Sequence, residues 1–369
     1  MPFHMALASE ANRAPPFEEW IPLARQVVRT SLGLGSKDVF TIYTYPSTIP
    51  LAEALALEAR RVGSDTHLTL MTDDLWFTSM QELSAKWLSA ASPIEHAIAE
   101  TETAHIYLGG PADARRMRDI PPEKFEANDM GNFRQHEPRR KRRVRDVDLP
   151  IGRVTPERAE TYGMDYARWR KSYHAALAVD LKEIQRSGNA LARSLKGRKR
   201  VRIVSDAGTD LTFETKPIAP LVSDGIISPA DVRRGFVRTA LPAGRLEAAV
   251  RPDSVDGEIR GTDPIPYAGR AIVRPWFRIH SGKIVESGAA EHKDLLYRLL
   301  RQSKAENARI GNVTIGLNAA AEPCMLDNSI VKDDVGLGLG PHPQLERRAV
   351  DPTVSFDWTI GPVRMEIGR

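Results

Sequence analysis

Arg245 and Glu247 stand two residues apart, directly after Leu241-Pro242-Ala243-Gly244. In an extended segment alternate side chains share a face, so this guanidinium and this carboxylate would point the same way. A guanidinium suits a planar carboxylate, which it can grip through two parallel hydrogen bonds. The pair could equally close on itself as a structural ion pair. His342, between Pro341 and Pro343, titrates near neutrality and is by type the residue to move a proton, its plainer reading being a turn residue. Cys324 could serve as a nucleophile with His342 as base, although a lone cysteine more often behaves as a small buried hydrophobe. Asp333 and Asp334 have the look of a metal pair, but adjacent acids in a strand face opposite sides, and a structural turn is expected. His280 and His292 have no ligand-like partner at helical spacing.

Elements must position these groups. Residues 17–32 read as an amphipathic helix, 39–43 as a β-rich strand, and 51–62 as a helix stopped by Gly63. Strand 66–71, helix 74–90 and strand 104–108 follow. Strands alternating with helices imply a parallel sheet. No glycine-rich phosphate loop follows these strands, so no nucleotide cofactor is expected. Open sheets bind ligands at strand C-terminal ends, which makes Tyr45, Ser47 and Thr48 candidates for a substrate edge. Residues 111–150 are charged, proline-containing and aperiodic, as a long connection would be. Thr155-Pro156-Glu157 is a helix start, and 165–195 reads as one helix. After Gly197 the character turns to β, with strands at 200–204 and 210–214, a hairpin around Ser281-Gly282, a helix at 291–308 and short strands to the end. The expected fold class is α/β: an N-terminal parallel-sheet domain with a helical connector over residues 1–200, and a C-terminal mixed α+β domain over 201–369.

Bulk properties narrow the class. With 369 residues, 41% hydrophobic and 27% charged, the chain can build two domains and a well-buried core. No apolar run approaches the roughly 20 residues that span a bilayer, so no membrane association is expected. The N-terminus lacks the pattern of a secretory signal, and one cysteine excludes an internal disulfide; both fit a cytoplasmic protein. The net charge of +4 is concentrated in Arg139-Arg140-Lys141-Arg142-Arg143-Val144-Arg145, which reads as a solvated loop. No aromatics interleave with these arginines, so nucleic acid is not the expected partner.

Several segments, in order, resemble one family, the aminopeptidase T/S type of thermophilic metallo-aminopeptidase. Thr155-Pro156 through Gly163-Met164-Asp165-Tyr166 is similar to its helical lead-in, and Gly208-Thr209-Asp210-Leu211-Thr212 to its Gly-Thr-Asp-Leu-Thr turn. Leu241-Pro242-Ala243-Gly244 resembles its Leu-Pro-Ala-Gly segment. Ile310-Gly311-Asn312-Val313-Thr314-Ile315-Gly316 resembles its Gly-Glu-Val-Ala-Leu-Gly strand, and Gly338-Leu339-Gly340 its Ala-Leu-Gly turn. The resemblance covers roughly residues 20–360. It implies a homodimer around an internal cavity, with the active site in the C-terminal domain.

The family's chemistry, by the same resemblance, needs two divalent ions that activate water against an amide. This chain departs from the ligand set. Arg245 and Asn312 stand where two glutamates are implied, Gly336 where a histidine is, and Phe356 and Trp358, or Ser355 and Asp357, where a closing His-x-Asp pair is. The tyrosine expected near the turn falls on His342. A guanidinium cannot ligate a cation and would repel one strongly. Ring-opening dioxygenases of dihydroxypyridines, which some superfamily members resemble, need the same missing pair. The expected cavity therefore holds Arg245 and Asn312 as substrate-binding groups and His342, Asp357 and Glu247 as catalytic ones, with Asp357 orienting His342, no metal and no cofactor. Asp357 beside Trp358 has the alternative of an ordinary surface acid. The implied function is a metal-independent hydrolytic or acid-base enzyme acting on a small carboxylated substrate. The alternatives are a remodelled single-metal enzyme, aminopeptidase-like or dioxygenase-like, and a non-catalytic binding or scaffold homologue.

Overall fold

Val39–Thr44, rich in β-branched and aromatic residues, is the strand around which the first sheet is laid. In the computed structural model, which describes residues 16–302, 309–340, 342–346 and 357–368, it pairs in parallel with Asp65–Leu70 on one side and Ala104–Tyr107 on the other. Arg145–Asp148 and then Arg238–Ala240 extend the sheet, also in parallel, to five strands. Phe40, Ile42, Ala104, Ile106 and Val147 form one face and pack on Ala24, Val28, Leu51 and Leu55 from the helical segments that flank the strand. The opposite face carries Thr41, Tyr43, His105, Tyr107, Asp146, Asp148 and Arg238 by strand alternation.

The C-terminal half is a sandwich of two antiparallel sheets. One has six strands, ordered Lys283–Gly288, Trp276–His280, Asp256–Arg260, Asp210–Glu214, Arg200–Val204 and Arg364–Ile367. The other has five, ordered Asp357–Pro362, Asp334–Leu339, Ile310–Gly316, Arg245–Ala249 and Leu221–Ser223. Ile203, Phe213, Ile259 and Phe277 from the first meet Leu246, Val313, Leu337 and Ile360 from the second in a common core. The α/β class, with a parallel sheet and further antiparallel sheets, is as the sequence led one to expect. Among the described residues no helix is long and apolar enough to cross a membrane.

Three expectations about elements need correction. The helix expected over 74–90 is two, Asp73–Glu82 and Ala85–Leu88, because Leu83 turns extended and Ser84 caps a new start by accepting the Trp87 N–H. Asp180 does the same to the helix expected over 165–195, which divides into Tyr166–Leu177 and Leu181–Ser194. The helix expected over 291–308 is Lys293–Gln302, and 303–308 lie outside the described residues.

Residues 111–150 are no bare connection either. They hold the helices Pro122–Gln135 and Glu137–Arg142 and the sheet strand Arg145–Asp148. The basic run lies on the last helix and this strand, and its arginines satisfy buried acceptors. Glu102 is fully buried, and Arg139 reaches both of its oxygens, with Nη2 at 3.2 Å from Oε2. Thr41 Oγ1 donates to the same carboxylate. Arg142 Nη1 donates to the Glu102 carbonyl at 2.9 Å, and Arg145 pairs with Asp38. Arg139, Arg142 and Arg145 are therefore held in place because each meets an acceptor that burial would otherwise strand. Arg139→Ala would leave the Glu102 carboxylate buried with its main countercharge removed. It should lower stability by about 3 kcal/mol in denaturant unfolding at neutral pH, whereas Arg143→Ala, at a left-handed helix end, should cost much less.

Candidate functional site

The Leu-Pro-Ala-Gly segment carries the chain from the parallel sheet to the sandwich. Leu241 and Ala243 are buried in the first core, and Gly244 turns with φ of +129°. A Cβ on Gly244 would lie 2.7 Å from Cβ of Asn318, whose Nδ2 donates to the Ala243 carbonyl at 2.8 Å and to that of Ala176 at 3.0 Å. Only glycine fits this close, left-handed turn. Arg245–Ala249 then enters the five-stranded sheet with Leu246 and Ala248 facing the sandwich core, so Arg245 and Glu247 project from the other face.

Glu247 is 5% exposed and is held from two sides. Its Oε1 lies 2.9 Å from Arg245 Nε, and its Oε2 lies 3.0 Å from His342 Nε2. The Leu345 backbone N–H points at His342 Nδ1 at 3.3 Å, so the ring accepts at Nδ1 and donates its Nε2–H to Glu247. Arg245 also comes within 3.9 Å of Asp327. Burial pushes the Glu247 carboxyl up, but Arg245, the His342 hydrogen bond and charge, and Arg238 outweigh it and bring it down to about 2. It is a fixed anion at any physiological pH.

The sequence-predicted residues are not all equally close. The structure brings Arg245, Glu247 and His342 together. Asn312, 3% exposed, lies one register step away: Glu247 pairs with Thr314, while Asn312 pairs with Ala249 and with Gly338. The Asp357 backbone lies opposite Gly338, on the third strand from that of Ala249, and Glu247 lies against His342. Gly336 stands in the Glu247–Thr314 row, and Ser355 and Phe356 lie outside the described residues. Tyr45 and Thr48, candidates for a substrate edge, are buried and bonded to each other: the Tyr45 N–H donates to Thr48 Oγ1 at 3.2 Å. Cys324 packs at the rim of the first core, where burial raises its thiol pKa, the reverse of what activates a nucleophile.

One residue that the sequence reading set aside belongs on this face. Val335 pairs with Ile315 toward the sandwich core, so Asp334 before it faces the side of Gly336 and the site. Asp334 is 3% exposed, and its Oδ2 has no hydrogen-bond partner among the described residues. Burial, with the nearby charges of Asp263 and Asp333, raises its carboxyl to about 7. Strand alternation around Val335 would have found it; the adjacent Asp333, in the left-handed region at φ of +68°, made the pair look like a turn alone.

This chain matches the sequence profile described as "Thermophilic metalloprotease (M29)" over residues 18–323. It belongs to that family. Its fold is similar to that of a solved structure, the wild-type AmpT from Thermus thermophilus, with a TM-score of 0.74 at 17% identity over 95% of this chain and 94% of that one. It is also similar to the 2,5-dihydroxypyridine dioxygenase from Pseudomonas putida, with a TM-score of 0.53 at 12% identity over 98% of this chain and 92% of that one. No curated protein matches by sequence. At these identities the two structures establish a shared fold.

The described residues around Glu247 do not fit the metal centre that the family name implies. The position beside Glu247 is filled by the Arg245 guanidinium at 2.9 Å, where a dication would be repelled. Among the described residues no group of three or more histidine, cysteine or acidic side chains is placed to hold a metal ion.

Two stability measurements check this electrostatic picture. The folded Glu247 carboxyl lies below its ordinary 4.5, so its contribution is fully present above pH 4.5 and is lost as pH falls toward about 2. That amounts to about 3 kcal/mol. Urea unfolding across this window should show the loss in the native chain, with a flatter profile in Glu247→Gln. Asp334 has the opposite sign: its raised pKa makes folding less favourable as pH rises from 3.8 through about 7. Asp334→Asn should therefore gain stability relative to the native chain at pH 8 over pH 4, by up to about 4 kcal/mol. An unchanged difference between the two pH values would show that Asp334 is not buried as a near-neutral acid.

Proposed function

We propose that this member of the thermophilic metalloprotease family works without a metal ion, binding a small carboxylated substrate at Arg245 and moving a proton through His342. The observation that carries this reading is Glu247 between Arg245 and His342, at 2.9 and 3.0 Å. Glu247 fixes the tautomer and would stabilise the imidazolium formed when Nδ1 takes a proton, the step at which the 3.3 Å contact from the Leu345 N–H is given up. Arg245 supplies the planar donor fork for a carboxylate, and Asn312 is a donor for a carbonyl one register step away. Asp334, near neutrality on the same face, is a second group able to exchange a proton. Homodimer formation and a cytoplasmic location belong to the same proposal, as does a division of the chain near residue 200.

A second reading has its own observation. Both ring nitrogens of His342 are already engaged, as expected if Arg245, Glu247 and His342 form a charge-balanced plug and the chain is a binding homologue. One experiment separates the readings. Protein treated with chelator, its metal content verified by mass spectrometry, is assayed by NMR against dipeptides and N-acyl amino acids. Metal-free turnover that falls roughly a hundredfold or more in His342→Gln, with a raised KM in Arg245→Gln, supports the enzyme. Turnover abolished by chelator and restored by zinc, manganese or iron would overturn metal independence. Binding of these carboxylates without turnover, unchanged in His342→Gln, would favour the binding homologue.

A further inference from the structure

The parallel sheet has a topological switch point of its own, remote in sequence from Arg245. Its strand order places Asp65–Leu70 on one side of Val39–Thr44 and Ala104–Tyr107 on the other, so the winding reverses between the two central strands. In open α/β sheets the carboxyl ends of the strands at such a reversal form the crevice in which ligands bind. Tyr43 and Tyr107, register partners at those ends, hold their rings 5.7 Å apart and tilted by 44°. Arg153, an exposed residue from the turn after the next strand, lays its guanidinium 5.5 Å from the Tyr107 ring.

The partners of Arg153 are neutral. Its Nη2 donates to the Tyr107 hydroxyl and its Nε to the Gly110 carbonyl, each at 3.4 Å, and among the described residues it forms no ion pair. Gly109 and Gly110, with φ of +86° and +138°, bring that carbonyl down; a Cβ on Gly110 would lie 2.4 Å from the Tyr45 ring. Arg158, buried behind, donates from Nε and Nη2 to the Pro111 carbonyl alone and likewise lacks a described carboxylate partner. Of the nearby acids, Asp148 lies 3.6 Å from Arg238 while its charge also acts on Arg153, and Asp73 accepts the Ala112 N–H at 2.8 Å. Glu95 stands toward Tyr43 from the helix Pro93–Thr101. Two neighbouring guanidinium groups thus stand at the strand ends beside Tyr43 and Tyr107, bonded to carbonyls and a phenol.

We infer that these strand ends form a second binding site, separate from Arg245, for a small oxyanion-bearing ligand: Arg153 engages the oxyanion beside the Tyr107 ring. An arginine fork held over a tyrosine ring is preorganised for a carboxylate or phosphate, and its bonds to neutral acceptors at 3.4 Å are weak enough to exchange for charge-assisted ones.

The test is calorimetric titration of the full chain carrying Arg245→Gln, which silences the other proposed anion site, with benzoate, benzamide and inorganic phosphate. Benzoate or phosphate should bind, with benzamide at least about tenfold weaker, and Arg153→Gln in the same background should weaken the anion by about tenfold or more. Benzoate without phosphate identifies a carboxylate ligand, and phosphate without benzoate a phosphorylated one. In the native chain, mass mapping of phenylglyoxal-modified peptides gives a readout free of folding defects: the bound anion should protect Arg153. No binding of either anion, equal binding in Arg153→Gln, benzamide binding as tightly as benzoate, or absence of protection would each overturn the site. None of these outcomes depends on whether Arg245 binds a substrate.

Discussion

The charge on Glu247 constrains everything around it. A carboxylate 5% exposed is costly unless cations and hydrogen bonds meet it, and in this chain the compensation comes from Arg245, two residues along the same strand, and from His342 near the C-terminus. Arg238 adds its charge from the edge of the parallel sheet, where it also faces Asp146 and Asp148 at 3.6 Å. The edge strand, the Leu-Pro-Ala-Gly turn and the site strand are thus successive parts of one electrostatic arrangement. The turn cannot be displaced without moving Arg238 and Arg245 relative to the acids between them.

A similar logic runs through the polar face of the parallel sheet. Parallel strands are usually apolar on both faces because helices cover both. Here Asp146 accepts from His105 at 2.9 Å, and burial is outweighed by that hydrogen bond, the His105 charge and Arg238, so the acid stays well below its ordinary range. His136, on the helical side, is pushed down to about 3 by burial and by Arg139, and stays neutral. The face is built from compensated pairs, and Arg153 at its carboxyl end differs from them in meeting neutral acceptors.

What sequence could reveal follows from period and from locality. The strand at 39–43 and the hairpin at Ser281-Gly282 were legible because alternation and turn chemistry are local. The breaks at Ser84 and Asp180 were less so, since apolar spacing continues through both and only a capping side chain marks them. The site was half legible: alternation puts Arg245 and Glu247 on one side, but the link to His342 spans most of the C-terminal half. Asp334 was missed because Asp333 beside it reads as a turn, although alternation around Val335 puts Asp334 on the site face. The basic run was misread because a helix of arginines looks solvated until Glu102 is found buried opposite it.

Strand alternation also explains how this architecture can keep its fold and change its chemistry. Leu246, Ala248, Val313, Ile315, Val335 and Leu337 face the sandwich core and set sheet packing. Arg245, Glu247, Asn312, Thr314, Asp334 and Gly336 alternate with them and contribute little to that core. Because a period of two separates the sets, substitutions on the outer face are free of the packing constraint and are bound mainly by charge balance. Arg245 against Glu247, with His342 on the other oxygen, meets the charge of the buried carboxylate. That arrangement keeps the carboxylate ionised.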